Sequence, residues 1–247
     1  MGPYRALAEY YDRLTADVPY GAFADYYERI FRENGLSIHS VLDVGCGTGT
    51  LTYLLQERGY DMIGADASGD MLIAALDKPC VGERPLFLHQ SMEDLDLYGT
   101  VDAAVCSLDG VNYVEPRALT AAFSRIRLFL EPGGIFIFDV NTPEKLRSLD
   151  GEVFLDETED LLCVWRAEFD EEKDACFYGI DLFSREDDLW RRESEEHVEY
   201  AYGTELLREK LKEAGFVDIC VYGELSLDAP SEMEQRIFIT ARKPEVM

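Results

Sequence analysis

Basic side chains are scarce in this chain: 23 lysines and arginines face 50 aspartates and glutamates, a formal net charge of −27 at pH 7. A surface of that sign repels phosphate backbones and anionic headgroups, so nucleic-acid acceptors and membrane surfaces are disfavoured. No basic run exceeds two residues, and acids surround Arg191-Arg192. Long apolar runs are missing too. No uncharged stretch approaches the roughly 18 residues a membrane span needs. Residues 1–14 carry Arg5, Glu9, Asp12 and Arg13 where a signal peptide would have an apolar centre. Ala6 stands where a myristoylation signal has serine or threonine. The chain therefore reads as cytoplasmic. The six cysteines form no C-x-x-C pair, and His39, His89 and His197 are dispersed. That spacing supports neither a zinc site nor a disulfide framework, and no metal is expected.

What is present suits one domain of α/β size with a small insertion: 247 residues, 47% of them apolar. Helical spacing of Leu7, Tyr10, Tyr11 and Leu14 over 4–14, and of Phe23, Tyr26, Tyr27, Ile30 and Phe31 over 20–34, predicts a helical lid segment at 1–36. Pro19 bends the chain between them. Short apolar runs at 40–44, 61–65, 85–89, 101–106 and 135–140 then alternate with helical patterns at 49–58, 68–76 and 115–130. Alternation of this kind predicts parallel strands joined by crossovers, hence a doubly wound sheet. After Thr142-Pro143 the pattern changes. The stretches 159–169, 175–183 and 189–202 read as an inserted antiparallel β subdomain spanning 151–202. In the last stretch Trp190, Val198, Tyr200 and Tyr202 share one face, and Glu193, Glu195, His197 and Glu199 the other. A helix at 204–214 and strands at 217–222 and 236–241 complete the fold, the last two pairing antiparallel because no helix fits between them. The expected architecture is a seven-stranded, mostly parallel sheet with an antiparallel last strand, built from 37–150 and 203–247. Residues 151–200 hold 18 acidic and 5 basic side chains. That charge reads either as a solvated face or as a field that attracts a cationic substrate or basic partner.

The sharpest signal is Val41-Leu42-Asp43-Val44-Gly45-Cys46-Gly47-Thr48-Gly49. Alternate glycines after a strand let the backbone turn tightly and approach a ligand. A dinucleotide loop is spaced G-x-G-x-x-G for a pyrophosphate, whereas this one is G-x-G-x-G with an acid two residues ahead. A carboxylate there suits an ammonium group. Asp66 ends the next strand, 21 residues beyond Gly45, where an acid accepts hydrogen bonds from ribose hydroxyls; alternatively it caps the following helix. Together these features suit a ribose joined to a cationic amino-acid tail, as in S-adenosylmethionine.

On those residues the chain resembles the class I S-adenosylmethionine-dependent methyltransferases, and looks most like uncharacterised bacterial members of small-molecule type. Further motifs carry the likeness: Tyr10-Tyr11-Asp12, Cys106-Ser107-Leu108-Asp109-Gly110-Val111-Asn112-Tyr113, Leu130-Glu131-Pro132-Gly133-Gly134, and Glu195-Glu196-His197-Val198-Glu199 with Tyr202. The resemblance implies that Gly45, Cys46 and Gly47 hold the methionine tail, that Asp43 lies near its ammonium, and that Asp66, followed by Ala67, binds the ribose. Ser91 and Met92 fall where the family has its adenine pocket. Many members have aspartate at the position of Ser91, so here the adenine contact comes from Ser91 or Asp94. Cys106 and Ser107 would border the sulfonium.

Methyl transfer needs alignment, a dry site and, for a protonated acceptor, a base. Candidate catalytic residues are His197, Asp109 and Tyr11. Tyr20, Asn112, Tyr113, Asn141 and Tyr202 are expected to line the acceptor pocket. Each has a plainer reading: His197 as a surface imidazole among glutamates, Asp109-Gly110 as a turn, Tyr113 as core. The expected activity is transfer to a nucleophilic N, O or C atom of a small molecule, possibly cationic. The rival readings are a non-catalytic S-adenosylmethionine-binding sensor or assembly factor, an RNA methyltransferase and an NAD-dependent dehydrogenase. Thr50 in place of the third glycine opposes the last. The absence of an Asp/Asn-Pro-Pro-aromatic tetrapeptide at 106–109 opposes the RNA enzyme.

Overall fold

The computed structural model describes residues 4–80 and 82–245, so residues 1–3 of the expected lid segment lie outside the described residues. The first helix is shorter than its apolar spacing predicts. Residues 4–10 run as turns, and α1 covers only Tyr11–Leu14. The reason lies in the amides. Tyr4, Ala6 and Leu7 donate their backbone N–H groups to the Glu195 carboxylate, so these amides are held from outside the segment. After Pro19, α2 (Tyr20–Glu33) buries Phe23, Tyr26, Tyr27, Ile30 and Phe31, the stripe that 3.6-residue periodicity demands.

The α/β unit follows as β1 (Ser40–Val44), α3 (Thr50–Glu57), β2 (Asp61–Asp66), α4 (Gly69–Asp77), β3 (Leu86–His89), β4 (Val101–Cys106), α5 (Leu119–Phe129), β5 (Leu130–Asn141) and α6 (Pro143–Ser148). The helix expected from residue 115 begins only at Leu119, because the chain turns between Glu115 and Ala118. A second, antiparallel sheet comprises β6 (Val153–Glu157), β7 (Leu161–Asp170), β8 (Ala175–Glu186) and β9 (Leu189–Tyr200). Then α7 (Thr204–Glu213), β10 (Val217–Gly223) and β11 (Arg236–Arg242) return to the first.

The main sheet runs β10-β11-β5-β4-β1-β2-β3, with β1 to β5 parallel and β11 antiparallel to both its neighbours. Strand order reverses at β1 and β4, which opens the crevice where such sheets bind ligands, beyond the carboxyl ends of the strands. Apolar cores fill both faces. Phe123, Phe136 and Phe138 anchor one; Tyr27, Leu55 and Phe238 anchor the other. A third core, holding Leu7, Leu146, Cys163 and Ile180, lies on the inner face of the second sheet.

Two features of that second sheet depart from expectation. Edge strand β6 was not foreseen, since every one of its residues is exposed and no buried alternation marks it. The glutamate-rich face of β9 points inward: His197 and Glu199 are buried, while Trp190 on the opposite face is 49% exposed. Burial of these polar groups is tolerated because they have partners, from the N-terminal amides and from Asn141.

Candidate active site

The glycine loop leaves β1 with Gly45 and Gly47 at φ 71° and 54°, left-handed conformations that a side chain would strain. The amides of Gly45 and Cys46 both bond the Ala65 carbonyl, at 2.7 and 3.1 Å. Asp66, at the end of β2, accepts from the Gly47 amide at 2.8 Å through Oδ2 and from the Ser68 amide at 2.7 Å through Oδ1. Each carboxylate oxygen keeps a further lone pair. Ser68, not Asp66, caps α4. Burial raises the Asp66 carboxyl above its ordinary range, and the two amides draw it back.

Asp43 is 2% exposed and has no ion-pair partner among the described residues. It accepts one hydrogen bond, from the Thr52 hydroxyl at 2.6 Å. Burial, reinforced by the nearby charge of Asp66, pushes its carboxyl up to about 7. A buried carboxylate without a cation beside it is what a ligand ammonium would satisfy. The loop is also clasped from the N-terminal side, a feature the sequence reading missed. Asp12 accepts from Thr48 at 2.5 Å and Thr50 at 3.1 Å and pairs with Lys78 at 2.7 Å.

Around this loop lies a cavity of about 390 Å³. Asp43, Gly45, Cys46, Gly47, Asp66, Ala67, Ser91, Met92 and Ser107 line it, as do Tyr11, Tyr20 and Tyr113. Tyr4, Arg5, Leu108 and Gly110 line it as well, and the sequence reading had singled out none of them for the site. Ser91 donates to Asp94 at 2.9 Å, so the two candidates for the adenine contact form one pair. Tyr27 and Ser107 join hydroxyls at 2.6 Å beneath the wall.

Six expected site residues are absent from the lining: Cys106 of the cofactor set, Asn112, Asn141 and Tyr202 of the acceptor pocket, and the catalytic candidates Asp109 and His197. Cys106 is fully buried, and a Cβ on Gly110 would come within 2.7 Å of its sulfur. Asn112 is a clamp: its Nδ2 donates to the carbonyls of Asn141 and Tyr200, and its Oδ1 accepts from the Asn141 amide. Asn141 turns its own Nδ2 to Glu199 at 2.9 Å. The Tyr202 hydroxyl donates to the Val114 carbonyl. Asp109 is ion-paired with Arg236 at 2.6 Å. Asp139 completes that group by pairing with Arg236 and accepting the amides of Leu108 and Asp109 at 2.9 and 3.0 Å. Those two residues sit at φ 55° and 57°, so Asp139 holds a strained loop against the cavity. Burial, against the pull of Arg236, raises the Asp139 carboxyl to about 6.

His197 lies one layer back and is 2% exposed. Its Nε2 meets Glu195 Oε2 at 3.0 Å. Its Nδ1 has no hydrogen-bond partner among the described residues. The rings of Tyr4, Tyr113 and Trp165 surround it at centroid distances of 4.4, 6.0 and 6.2 Å. Burial works to raise the Glu195 carboxyl, but the bonds from His197 and the N-terminal amides outweigh it and hold it low. Glu199 goes the other way: burial first, then the charge of Asp109, pushes it up to about 8.

Comparison with known proteins agrees with this geometry. Residues 41–134, which contain the glycine loop and Asp66, match the model of a methyltransferase domain. The chain is 28% identical over 247 residues to "Putative methyltransferase YqeM" of Bacillus subtilis (strain 168), covering 99% of this chain and 98% of that protein. A likewise named protein of Geobacillus sp. (strain WCH70) is 29% identical, over 97% of this chain and 99% of its own. A solved structure, an S-adenosylmethionine-dependent methyltransferase from Clostridium acetobutylicum ATCC 824, superposes with a TM-score of 0.85 at 28% identity, covering 98% of this chain and all of that one. The domain match, the relatives and the shared fold together support an S-adenosylmethionine-dependent methyltransferase of class I.

Proposed function

We propose that this enzyme methylates a small, cationic acceptor, and that the cavity between the glycine loop and the N-terminal tyrosines is where the acceptor meets the cofactor. When bound, S-adenosylmethionine supplies a sulfonium methyl group already activated for in-line displacement at a nucleophilic N, O or C atom. The backbone of Gly45, Cys46 and Gly47, whose turn leaves room beside it, packs against the amino-acid tail, with Asp43 beside its ammonium. Asp66 uses its remaining lone pairs for the ribose hydroxyls. Met92 walls the adenine, and the Ser91–Asp94 pair meets its amino group. Tyr11, Tyr20 and Tyr113 close the acceptor side, exclude water and offer ring faces to positive charge. His197, oriented through Nε2 by Glu195, is the base. Asp109, neutralised by Arg236, positions the loop instead.

The observation that carries this reading is the pairing, in one cavity, of a buried carboxylate lacking a cation with a second carboxylate at the neighbouring strand end. The cavity's volume falls in the range of small-molecule and cofactor pockets, roughly 300–1,000 Å³. The test is calorimetric titration with S-adenosylhomocysteine. Asp66→Asn removes one acceptor yet still offers an oxygen to the Gly47 amide, so it should weaken binding at least tenfold while leaving the fold intact. Unchanged affinity would remove Asp66 from the site.

A further inference from the structure

The base assigned above does not reach the cavity, because a side chain of the same chain stands between them. Tyr4 lines the cavity, and its ring makes a T-shaped contact with the His197 imidazole at a centroid distance of 4.4 Å. Its ring also contacts Tyr11 at 5.9 Å and Tyr113 at 5.8 Å, and its hydroxyl donates to that of Tyr113 at 2.8 Å. Its backbone sits at φ 64°, a conformation that a tyrosine adopts only when its surroundings hold it there. What holds it is Glu195, which takes the amides of Tyr4, Ala6 and Leu7. Taken together, an aromatic ring in a strained segment fills a space bounded by two other tyrosine rings and a buried imidazole.

We infer that the space filled by the Tyr4 ring is the acceptor subsite, and that it takes an amine carried on or beside a ring of about phenyl size. This rests on the methyltransferase reading above and goes further by naming the acceptor class. Three observations point to an amine. The rings of Tyr11 and Tyr113 bound the subsite, and aromatic rings attract cations. The charged groups around the subsite are mostly carboxylates: Glu195 against the Tyr4 amide, with Glu199 and Asp109 close enough to disfavour a negative charge on both Tyr4 and Tyr113. The basic groups here are Arg5, at the cavity wall, and Arg236, which is already shared between Asp109 and Asp139. Finally, His197 Nδ1 is a buried polar atom with no hydrogen-bond partner among the described residues, next to the ring that would be displaced. With Nε2–H directed to Glu195, Nδ1 carries the lone pair.

Those groups account for the proton. An amine enters as its ammonium, drawn by the rings and carboxylates. One N–H bond breaks, its electron pair stays on nitrogen, and the proton bonds to Nδ1. The imidazolium that results faces Glu195, with Glu199, Tyr113, Tyr178 and Trp165 around it. The freed lone pair is the nucleophile. The acceptor thus replaces Tyr4, and the segment from Tyr4 to Leu7 gives way as it enters.

The test needs no natural acceptor. Cyclohexylamine and cyclohexanol are matched in ring size and differ in charge. Both are titrated calorimetrically into the S-adenosylhomocysteine complexes of wild-type and Tyr4→Ala protein at pH 7.5. The subsite predicts that Tyr4→Ala binds cyclohexylamine at least tenfold more tightly than wild type does, and at least tenfold more tightly than it binds cyclohexanol. Equal binding of amine and alcohol, or no gain over wild type, overturns the proposal. Failure of S-adenosylhomocysteine itself to bind wild-type protein would instead count against the cofactor site. Should Tyr4→Ala not fold, wild type answers the question through trypsin cleavage after Arg5. Cyclohexylamine should accelerate that cleavage at least threefold while cyclohexanol does not, and an unchanged rate with both refutes displacement of Tyr4.

Discussion

Asp43→Asn exposes the electrostatics of the cofactor site most fully. The wild-type carboxyl is buried, bonded among the described residues only to Thr52, and raised from 3.8 to about 7. In the free protein its folded value therefore exceeds its unfolded one. The stability it contributes is fully present below about pH 4 and is lost as pH rises through about 7. At roughly 1.4 kcal/mol for each tenfold change, the loss reaches about 4 kcal/mol above neutrality. Asparagine keeps the shape and the Thr52 contact without the charge. Ligand-free Asp43→Asn should consequently melt above wild type at pH 8, and the gap should close toward pH 4. Cofactor binding reverses the preference, because a ligand ammonium favours the carboxylate. Wild-type affinity for S-adenosylhomocysteine should rise roughly 25-fold between pH 5.5 and 7.5 as the proton leaves. Asp43→Asn should be weaker at pH 7.5 and flat across that range. Calorimetry and thermal melting over the same buffers check both. A wild-type affinity independent of pH, or a mutant with the same slope, would refute the reasoning.

Other outcomes follow from the same contacts. Asn112→Ala strips partners from the Asn141 amide and the Tyr200 carbonyl, so denaturant unfolding should show a loss of roughly 2–3 kcal/mol; a loss below half of one would mean those groups find other partners. Asp181 is buried on the outer face of the second sheet, where Ser194, Arg166 and Arg192 hold its carboxyl well below the ordinary range. Its contribution is present above about pH 4 and fades as the solution is acidified. Asp181→Asn should therefore lower stability at pH 7 by roughly 1–3 kcal/mol, and by less at pH 3. Identical melting shifts at both pH values would contradict this. Asp187, at φ 56° in the exposed turn between β8 and β9, should tolerate glycine with a gain of roughly 0.4–1 kcal/mol. A drop in melting temperature would show that its side chain holds the turn.

Local signals and long-range contacts divided what the sequence could disclose. The glycine loop and Asp66 were legible because a strand, a tight turn and a helix lie within about 30 residues, and only glycine suits the turn. The parallel, doubly wound character of the main sheet followed from crossover rules acting on a clear alternation, whereas its strand order came only with the structure. The inward face of β9 was not legible. Periodicity shows that Glu195, His197 and Glu199 share a side, but it does not say which side faces the protein when the buried residues are the polar ones. Their partners lie far along the chain: Tyr4 is 191 positions from Glu195, and Asp109 is 127 positions from Arg236. The same distance concealed the roles of Asn112 and Asn141, whose residue types suit a pocket as well as a clamp. The edge strand β6 had no buried side chain to reveal it.

The most direct test of this account is a crystal structure of the S-adenosylhomocysteine complex. It should hold the ribose hydroxyls within hydrogen-bond distance of Asp66 and the amino group beside Asp43, with both carboxylates otherwise bonded as they are here. A ligand seated elsewhere, or one whose ribose and amino group avoid these two carboxylates, would contradict it.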